Sequence, residues 1–226
     1  MKQSVFDDAV NYYAERYEEI RRLPFIAEQK KSLSDHTDDT SRRCRFCGQG
    51  KPNVTFKKRA HAVPEFLGNR DILSMNECDE CNEFFATNYE DHLSKWSQYL
   101  RALSQIKGKK GKPTFKTPNE TMRISSGQDG LQISLSDPTV TSEPLHGVGS
   151  HTLPLPTDAT SQLYIPLRAA LTLVKIACSV CPTTDELRQV APAIGWLRSP
   201  DAINISYFMV MYAFTPGPID NTASLV

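Results

Sequence analysis

Apolar and aromatic residues recur every three or four positions from Ser4 to Leu23, at Val5, Phe6, Ala9, Val10, Tyr13, Tyr17 and Ile20. This spacing predicts one amphipathic helix, ended by Pro24, which cannot continue it. The mainly polar run Ser32 to Ser41 reads as a loose linker. Short apolar runs then predict a strand at Val54 to Phe56 and another around Arg59 to Val63. The turn signals Leu67-Gly-Asn and Asn69-Arg-Asp follow, so a hairpin is expected here. From Phe84 the helical period returns, with Phe84, Phe85, Tyr89, Leu93, Trp96, Tyr99, Leu100 and Leu103 predicting one long helix whose first turn holds Asn82. On it, His92, Trp96 and Tyr99 read as packing residues.

Gly108 to Pro118 is a basic, turn-rich exit. Met122-Arg-Ile and Leu131-Gln-Ile-Ser-Leu then flank Ser125-Ser-Gly-Gln-Asp-Gly130, a hairpin pattern. Pro138 to Pro156 is rich in loop residues, Ser161 to Ser179 predicts a strongly apolar helix, Asp185 to Trp196 a second helix, and Ile203 to Phe214 a strand. No internal repeat is present. The expected organisation has three parts: residues 1–40 as an N-terminal helix and linker, 41–120 as a central domain, and 121–226 as a C-terminal α+β region.

Composition narrows the class. At 226 residues and 39% hydrophobic content the chain can bury one large core or two small ones. No run approaches the roughly 20 apolar residues of a membrane span, and the start Met1-Lys-Gln-Ser-Val-Phe-Asp-Asp lacks the pattern of a secretory signal. A soluble, cytoplasmic protein without a membrane partner is the expectation. The tail Ile219-Asp-Asn-Thr-Ala-Ser-Leu-Val reads as a fragment boundary as readily as a natural stop.

Net charge is zero, but it is unevenly spread. Ser41 to Glu120 carries 15 Lys and Arg against 9 Asp and Glu, whereas Met1 to Thr40 carries 6 against 9. The basic runs are Arg42-Arg43-Cys44-Arg45, Lys57-Lys58-Arg59 and Lys107-Gly-Lys-Lys-Gly-Lys112. Brought onto one face, they would meet phosphates, so nucleic acid is the expected partner.

Four of the six cysteines give this charge a frame. Cys44-Arg-Phe-Cys47 and Cys78-Asp-Glu-Cys81 enclose a 30-residue insert, Gly48 to Glu77. Two intervening residues let both thiolates of a pair reach one ion, and two such pairs close a tetrahedral zinc shell with Zn–S distances of about 2.3 Å. A closed shell has no position for substrate, so the zinc is expected to be structural and chemistry must come from the residues it positions. The third close pair, Cys178 and Cys181, ends an apolar helix without a second pair and reads as small buried hydrophobes.

Phosphodiester hydrolysis needs a base to activate water, a divalent cation to stabilise developing charge, and cationic side chains to hold the strand. His61, the one histidine of the insert, suits the base, because its ordinary pKa lies near 6.5. Asn82, directly after Cys81, can offer a carboxamide oxygen to Mg²⁺ or Mn²⁺ from the start of the helix. Lys57, Lys58 and Arg59 would engage phosphates. His36, His146 and His151 lie in loop sequence and carry no such signal.

The run Cys44-x-x-Cys47, Ala60-His-Ala-Val-Pro-Glu-Phe-Leu-Gly-Asn69 and Asn76-Glu-Cys-Asp-Glu-Cys-Asn82 resembles an HNH endonuclease of the four-cysteine type. The resemblance covers roughly Cys44 to Gly111 and implies a ββα-metal, treble-clef-like nuclease unit within an α+β chain. It also implies His61 as general base, Asn82 as ligand of the catalytic cation, and Asn69 or Asn76 as a loop-ordering residue. The commonest family pattern has an Asp or Glu before the histidine as a further metal ligand, where this chain has Ala60. Glu65, four residues after His61, and Glu90, eight after Asn82, are candidates to compensate, but each reads first as a plain surface glutamate.

The expectation is a metal-dependent endonuclease acting on nucleic acid, DNA ahead of RNA. The competing reading, supported by Ala60, is a zinc-dependent nucleic-acid-binding module without catalysis. By family-level analogy, the C-terminal region would bind a protein partner or a second copy and control the nuclease in a restriction or phage-defence effector.

Overall fold

The computed structural model describes residues 29–36, 38–127, 130–136, 162–181 and 188–199, with Asn11, Ala14, Glu15 and Leu23 in addition. Most of the predicted N-terminal helix, the loop-rich run from Pro138 to Pro156, the strand Ile203 to Phe214, His146 and His151 lie outside these residues. What is described is an α+β architecture with two small sheets.

The first sheet has the order β1 (Lys31–Leu33), β3 (Ile72–Ser74), β2 (Ala60–His61). β2 runs antiparallel to β3 in the register Ala60 to Ser74 and His61 to Leu73, while β1 lies parallel to β3 with Leu33 beside Ser74. Leu33, Ala62 and Ile72 bury together behind this sheet. The start of the run expected as linker is therefore a strand, held because Leu33 finds an apolar seat.

The hairpin exists, but not between the expected strands. Val54 to Phe56 is not a strand, because its backbone is taken up by the start of the next helix. Thr55 O accepts the Asp79 N–H at 2.8 Å, and the Asp79 carboxylate accepts the N–H groups of Lys57 and Lys58 at 3.0 and 2.7 Å. The partner of β2 is instead Ile72–Ser74. Between them Glu65–Leu67 forms one 3₁₀ turn, and Asn69 closes the loop from inside. Its Nδ2 donates to the carbonyls of Val63 (2.6 Å) and Ile72 (3.0 Å), and its Oδ1 accepts from the N–H groups of Asp71 and Ile72.

The expected long helix is broken into α1 (Asp79–Phe85), a π-helical turn (Ala86–Glu90), α2 (Asp91–Trp96) and α3 (Gln98–Leu103). The break before α3 has a local cause. Ser97 Oγ bonds back to Leu93 O at 2.7 Å, and Arg101 Nε donates to that hydroxyl at 3.1 Å, so the backbone bends at Ser97. Phe85 and Tyr89 stack and bury fully, and Tyr89 reaches Leu197 O at 2.6 Å. Tyr99 packs edge-on against Phe115, but Trp96 is 48% exposed and does not belong to the core.

β4 (Phe115–Lys116), β5 (Met122–Gly127) and β6 (Gly130–Leu135) form the second sheet in that order, antiparallel, as the alternating pattern of the hairpin predicts. Its inner face, Phe115, Met122 and Ile124, closes over Ala102 of α3. The apolar C-terminal helix is α4 (Pro166–Val180), started by a proline in its first turn, and α5 (Ala191–Arg198) follows. Leu171, Cys178 and Leu197 from these helices share one core with Cys44, Phe46, Cys78, Phe85 and Tyr89.

Two polar devices fasten α4 to the cysteine unit. Arg45 donates to the carbonyls of Cys178 (2.7 Å), Ser179 (3.2 Å) and Cys181 (2.8 Å) at the end of α4, where helix carbonyls lack partners, and pairs with Asp35 at 2.6 Å. Lys175, in the middle of the helix, is fully buried and pairs with Glu77 and Glu90, each at 3.1 Å.

Asn69→Ala removes one side chain but strands several buried backbone groups. It is expected to lower the unfolding free energy by about 2–3 kcal/mol, seen as an earlier urea midpoint.

Candidate active site and metal centre

The two cysteine pairs converge. The sulfurs of Cys44, Cys47, Cys78 and Cys81 all lie within 4.8 Å of one another, and those of Cys47 and Cys78 are 3.9 Å apart. A tetrahedral ion with bonds of about 2.3 Å needs sulfurs about 3.8 Å apart, so the donor set fits zinc. Each pair is shaped locally. After Cys47 the chain reverses through Gly48, whose φ of 71° suits glycine, with the Gly48 N–H donating to Cys44 O at 2.8 Å. Cys78 sits at the N-cap of α1, and its sulfur accepts the Cys81 N–H at 3.5 Å. Cys44 Sγ accepts the Cys78 N–H at 3.4 Å.

Such crowding resists several thiolates at once. A hydrogen bond from Cys81, helped by the Cys78 N–H, pulls the Cys44 thiol down to about 5. Burial pushes Cys78 up to about 12, and Cys81 is raised by its donation to Cys44. Bound zinc would compensate the negative charge that otherwise keeps these protons in place.

A cavity of about 250 Å³ opens beside this centre, lined by His61, Pro64, Glu65, Phe66, Asn82, Glu90 and Lys109. His61 comes from β2 and Asn82 from the first turn of α1, directly after the cysteine that anchors the helix. Glu90 arrives through the π-helical turn. In an uninterrupted α-helix, eight residues would leave position 90 about 80° away from position 82, and a π turn absorbs one extra residue and restores the shared face. Lys109 is carried in by the basic exit loop. Gly108 lies so near the 3₁₀ turn that a Cβ there would meet Phe66 Cα at 3.3 Å, and Arg70 donates to Gly108 O at 2.9 Å.

His61 is half-buried, and its backbone carbonyl accepts a hydrogen bond from Lys175 Nζ at 3.2 Å. Burial lowers its pKa below 6.5; Glu65 and Glu90 oppose the shift, while Lys175 and Lys109 reinforce it. Beneath the pocket, burial pushes the Glu77 carboxyl up to about 7 against the pull of Lys175. Burial also works against the Lys175 ammonium, but Glu77 and Glu90 outweigh it and hold its pKa above the ordinary lysine value.

Residues 44–97 match the family model described as HNH endonuclease. This segment is similar to the HNH endonucleases. No curated protein and no solved structure matches the chain. The HNH segment contains the four cysteines, His61, Asn82 and Glu90, whereas Lys109 and Lys175 lie beyond it.

The sequence-predicted phosphate contacts, Lys57, Lys58 and Arg59, lie on the exposed approach to β2, outside the lining of the HNH pocket, and Lys58 pairs with Glu83 at 2.7 Å. Asn76 is buried behind the cysteines, its Oδ1 accepting the Asp35 N–H at 3.2 Å and its carbonyl the Arg45 N–H at 2.7 Å. His92 accepts the Ile165 N–H just before α4. Cys178 is buried, and Cys181 partly so. Among the described residues no helix is long and apolar enough to cross a membrane. Lys175 was missed by sequence reasoning; a lone charge within the apolar run from Ala169 to Cys178 was its signal.

Purified protein is expected to carry one zinc ion per chain by elemental analysis. Cys78→Ser is expected to lose it together with cooperative melting, and a melting curve matching the parent would exclude a structural role. In an NMR titration the His61 imidazole is expected to protonate with a midpoint below 6.5. Because this pKa is lower in the folded than in the unfolded chain, its contribution lowers stability as pH falls from about 6.5 through the folded value.

Proposed function

We propose that the protein is a metal-dependent HNH endonuclease that hydrolyses phosphodiester bonds in nucleic acid, with DNA as the favoured substrate. The observation that carries this reading is one pocket lined by both His61 of β2 and Asn82 of α1, the second directly after a cysteine of the centre. Zinc on Cys44, Cys47, Cys78 and Cys81 keeps β2 and α1 in register without taking part in the reaction. His61, neutral near physiological pH, accepts a proton from water as that water attacks the phosphorus. Asn82 offers its carboxamide oxygen to Mg²⁺ or Mn²⁺. A divalent cation held there supplies charge stabilisation for the scissile phosphate and the leaving oxygen. Lys109 meets the phosphate in the pocket, and Lys57, Lys58 and Arg59 engage the backbone on the exposed approach.

Residues 41–120 form the nuclease domain in this reading, and the region from 121 onward governs it through a protein partner or a second copy, as in a restriction or phage-defence effector. Four cysteines gathered for a metal ion, rather than spaced as disulfides, support a reducing, cytoplasmic setting.

One observation favours a second reading. Ala60, where the commonest family pattern has an acid, is 2% exposed and offers no donor, which suits a nucleic-acid-binding module without catalysis. Incubation with plasmid DNA or RNA and Mg²⁺ or Mn²⁺, with and without EDTA, separates the two. Cleavage is expected only with the cation. His61→Ala is expected to lose it by about 100-fold or more, with zinc content and melting unchanged. Full cleavage by that variant would refute the base assignment, and cation-independent binding without any cleavage by the parent would favour the second reading.

A further inference from the structure

The pocket contains a carboxylate that none of these roles uses. Glu90 lines it with His61 and Asn82, and its side chain is 20% exposed, so it is partly withdrawn from solvent. Glu90 is also the one lining residue whose carboxylate is clamped from behind: Oε1 pairs with Lys175 Nζ at 3.1 Å, while Oε2 has no hydrogen-bond partner among the described residues. Lys175 is immobilised in turn. It is completely buried, pairs with Glu77 at 3.1 Å, donates to His61 O at 3.2 Å and lies 5.9 Å from the centre of the Phe85 ring. One ammonium thus ties the backbone of the proposed base to the carboxylate of Glu90.

This arrangement has the features of a preorganised oxygen ligand. A hard divalent cation takes carboxylate and carboxamide oxygens while keeping several waters, so two protein ligands suffice. Asn82 and Glu90 share a helical face because of the π turn, and such turns concentrate at functional sites. Glu65 is the other acid of the pocket, but among the described residues no hydrogen bond or ion pair orients its carboxylate. A fixed ligand loses less conformational freedom on binding than a free one.

We propose that Glu90 supplies the carboxylate that holds the divalent cation together with Asn82, in the role for which Ala60 has no donor. The inference rests on the cation site of the proposed nuclease, but it concerns binding and is tested as binding. Mn²⁺ affinity of the zinc-loaded full chain is measured by the electron paramagnetic resonance signal of free Mn²⁺, without nucleic acid. Glu90→Gln, which retains an oxygen to accept from Lys175, is expected to weaken Mn²⁺ binding by at least about tenfold, with circular dichroism and zinc content unchanged. Glu65→Gln is expected to stay within about twofold of the parent.

A second measurement needs no variant. On titrating the parent with Mn²⁺, the ¹³C carboxyl signal of Glu90 and the carboxamide signal of Asn82 should broaden at lower Mn²⁺ than the carboxyl of Glu65. Parent-like affinity in Glu90→Gln, earlier broadening of Glu65, or no Mn²⁺ binding by the parent would each overturn the assignment. Glu90-dependent Mn²⁺ binding in a chain that cleaves no nucleic acid would sustain the ligand and overturn the nuclease reading, so the two failures are distinguishable.

Discussion

Four sulfurs within 4.8 Å of one another are the constraint on which the rest of the fold depends. Several thiolates at that spacing repel one another, and protonated thiols pack poorly around a shared centre, so the arrangement calls for a cation. With one bound, two chain segments otherwise separated by a 30-residue insert are pinned at both ends. The insert folds back as a hairpin whose loop is tied from within by Asn69, and α1 starts on a cysteine that serves as donor and helix cap together. His61 and Asn82 owe their common pocket to this closure, because neither belongs to a long regular element that would place it alone.

The second constraint is electrostatic. A lysine with no solvent contact is tolerable only with carboxylates around it, and Lys175 has two. Such buried ion pairs add little net stability, since desolvation offsets most of the attraction, and removing one partner strands a charge. Their effect here is geometric: α4 can sit against the HNH segment in one register, with Arg45 on its terminal carbonyls and Lys175 under the pocket. The matched family segment ends at residue 97, yet its pocket is finished by Lys109 from the exit loop and braced by Lys175 from α4. The cysteine unit and the C-terminal helices accordingly share one apolar core.

Interruptions in the helical run also serve the site. An unbroken helix from Asp79 to Leu103 would turn Glu90 away from Asn82, whereas the π turn keeps them together and still buries Phe85 and Tyr89 on the core side. Ser97 then redirects the chain so that α3 covers the second sheet.

By itself the sequence determined what depends on residue type at fixed spacing: the four-cysteine centre, the basic segment between the pairs, α1 opening beside Asn82, the antiparallel hairpin β5–β6 and an apolar helix near Ser161 to Ser179. These are short-range relations, set by the reach of a thiolate or the period of a strand or helix. Tertiary structure alone decided the partner of β2, because Asp79 holds Thr55 O and the N–H groups of Lys57 and Lys58 and leaves Ile72–Ser74 to pair. It also decided the packing of the π-helical turn, where Tyr89 reaches Leu197, and the burial of Lys175 beneath His61. Each of these turns on a contact between residues distant in the chain, and no local period records where such a partner will be.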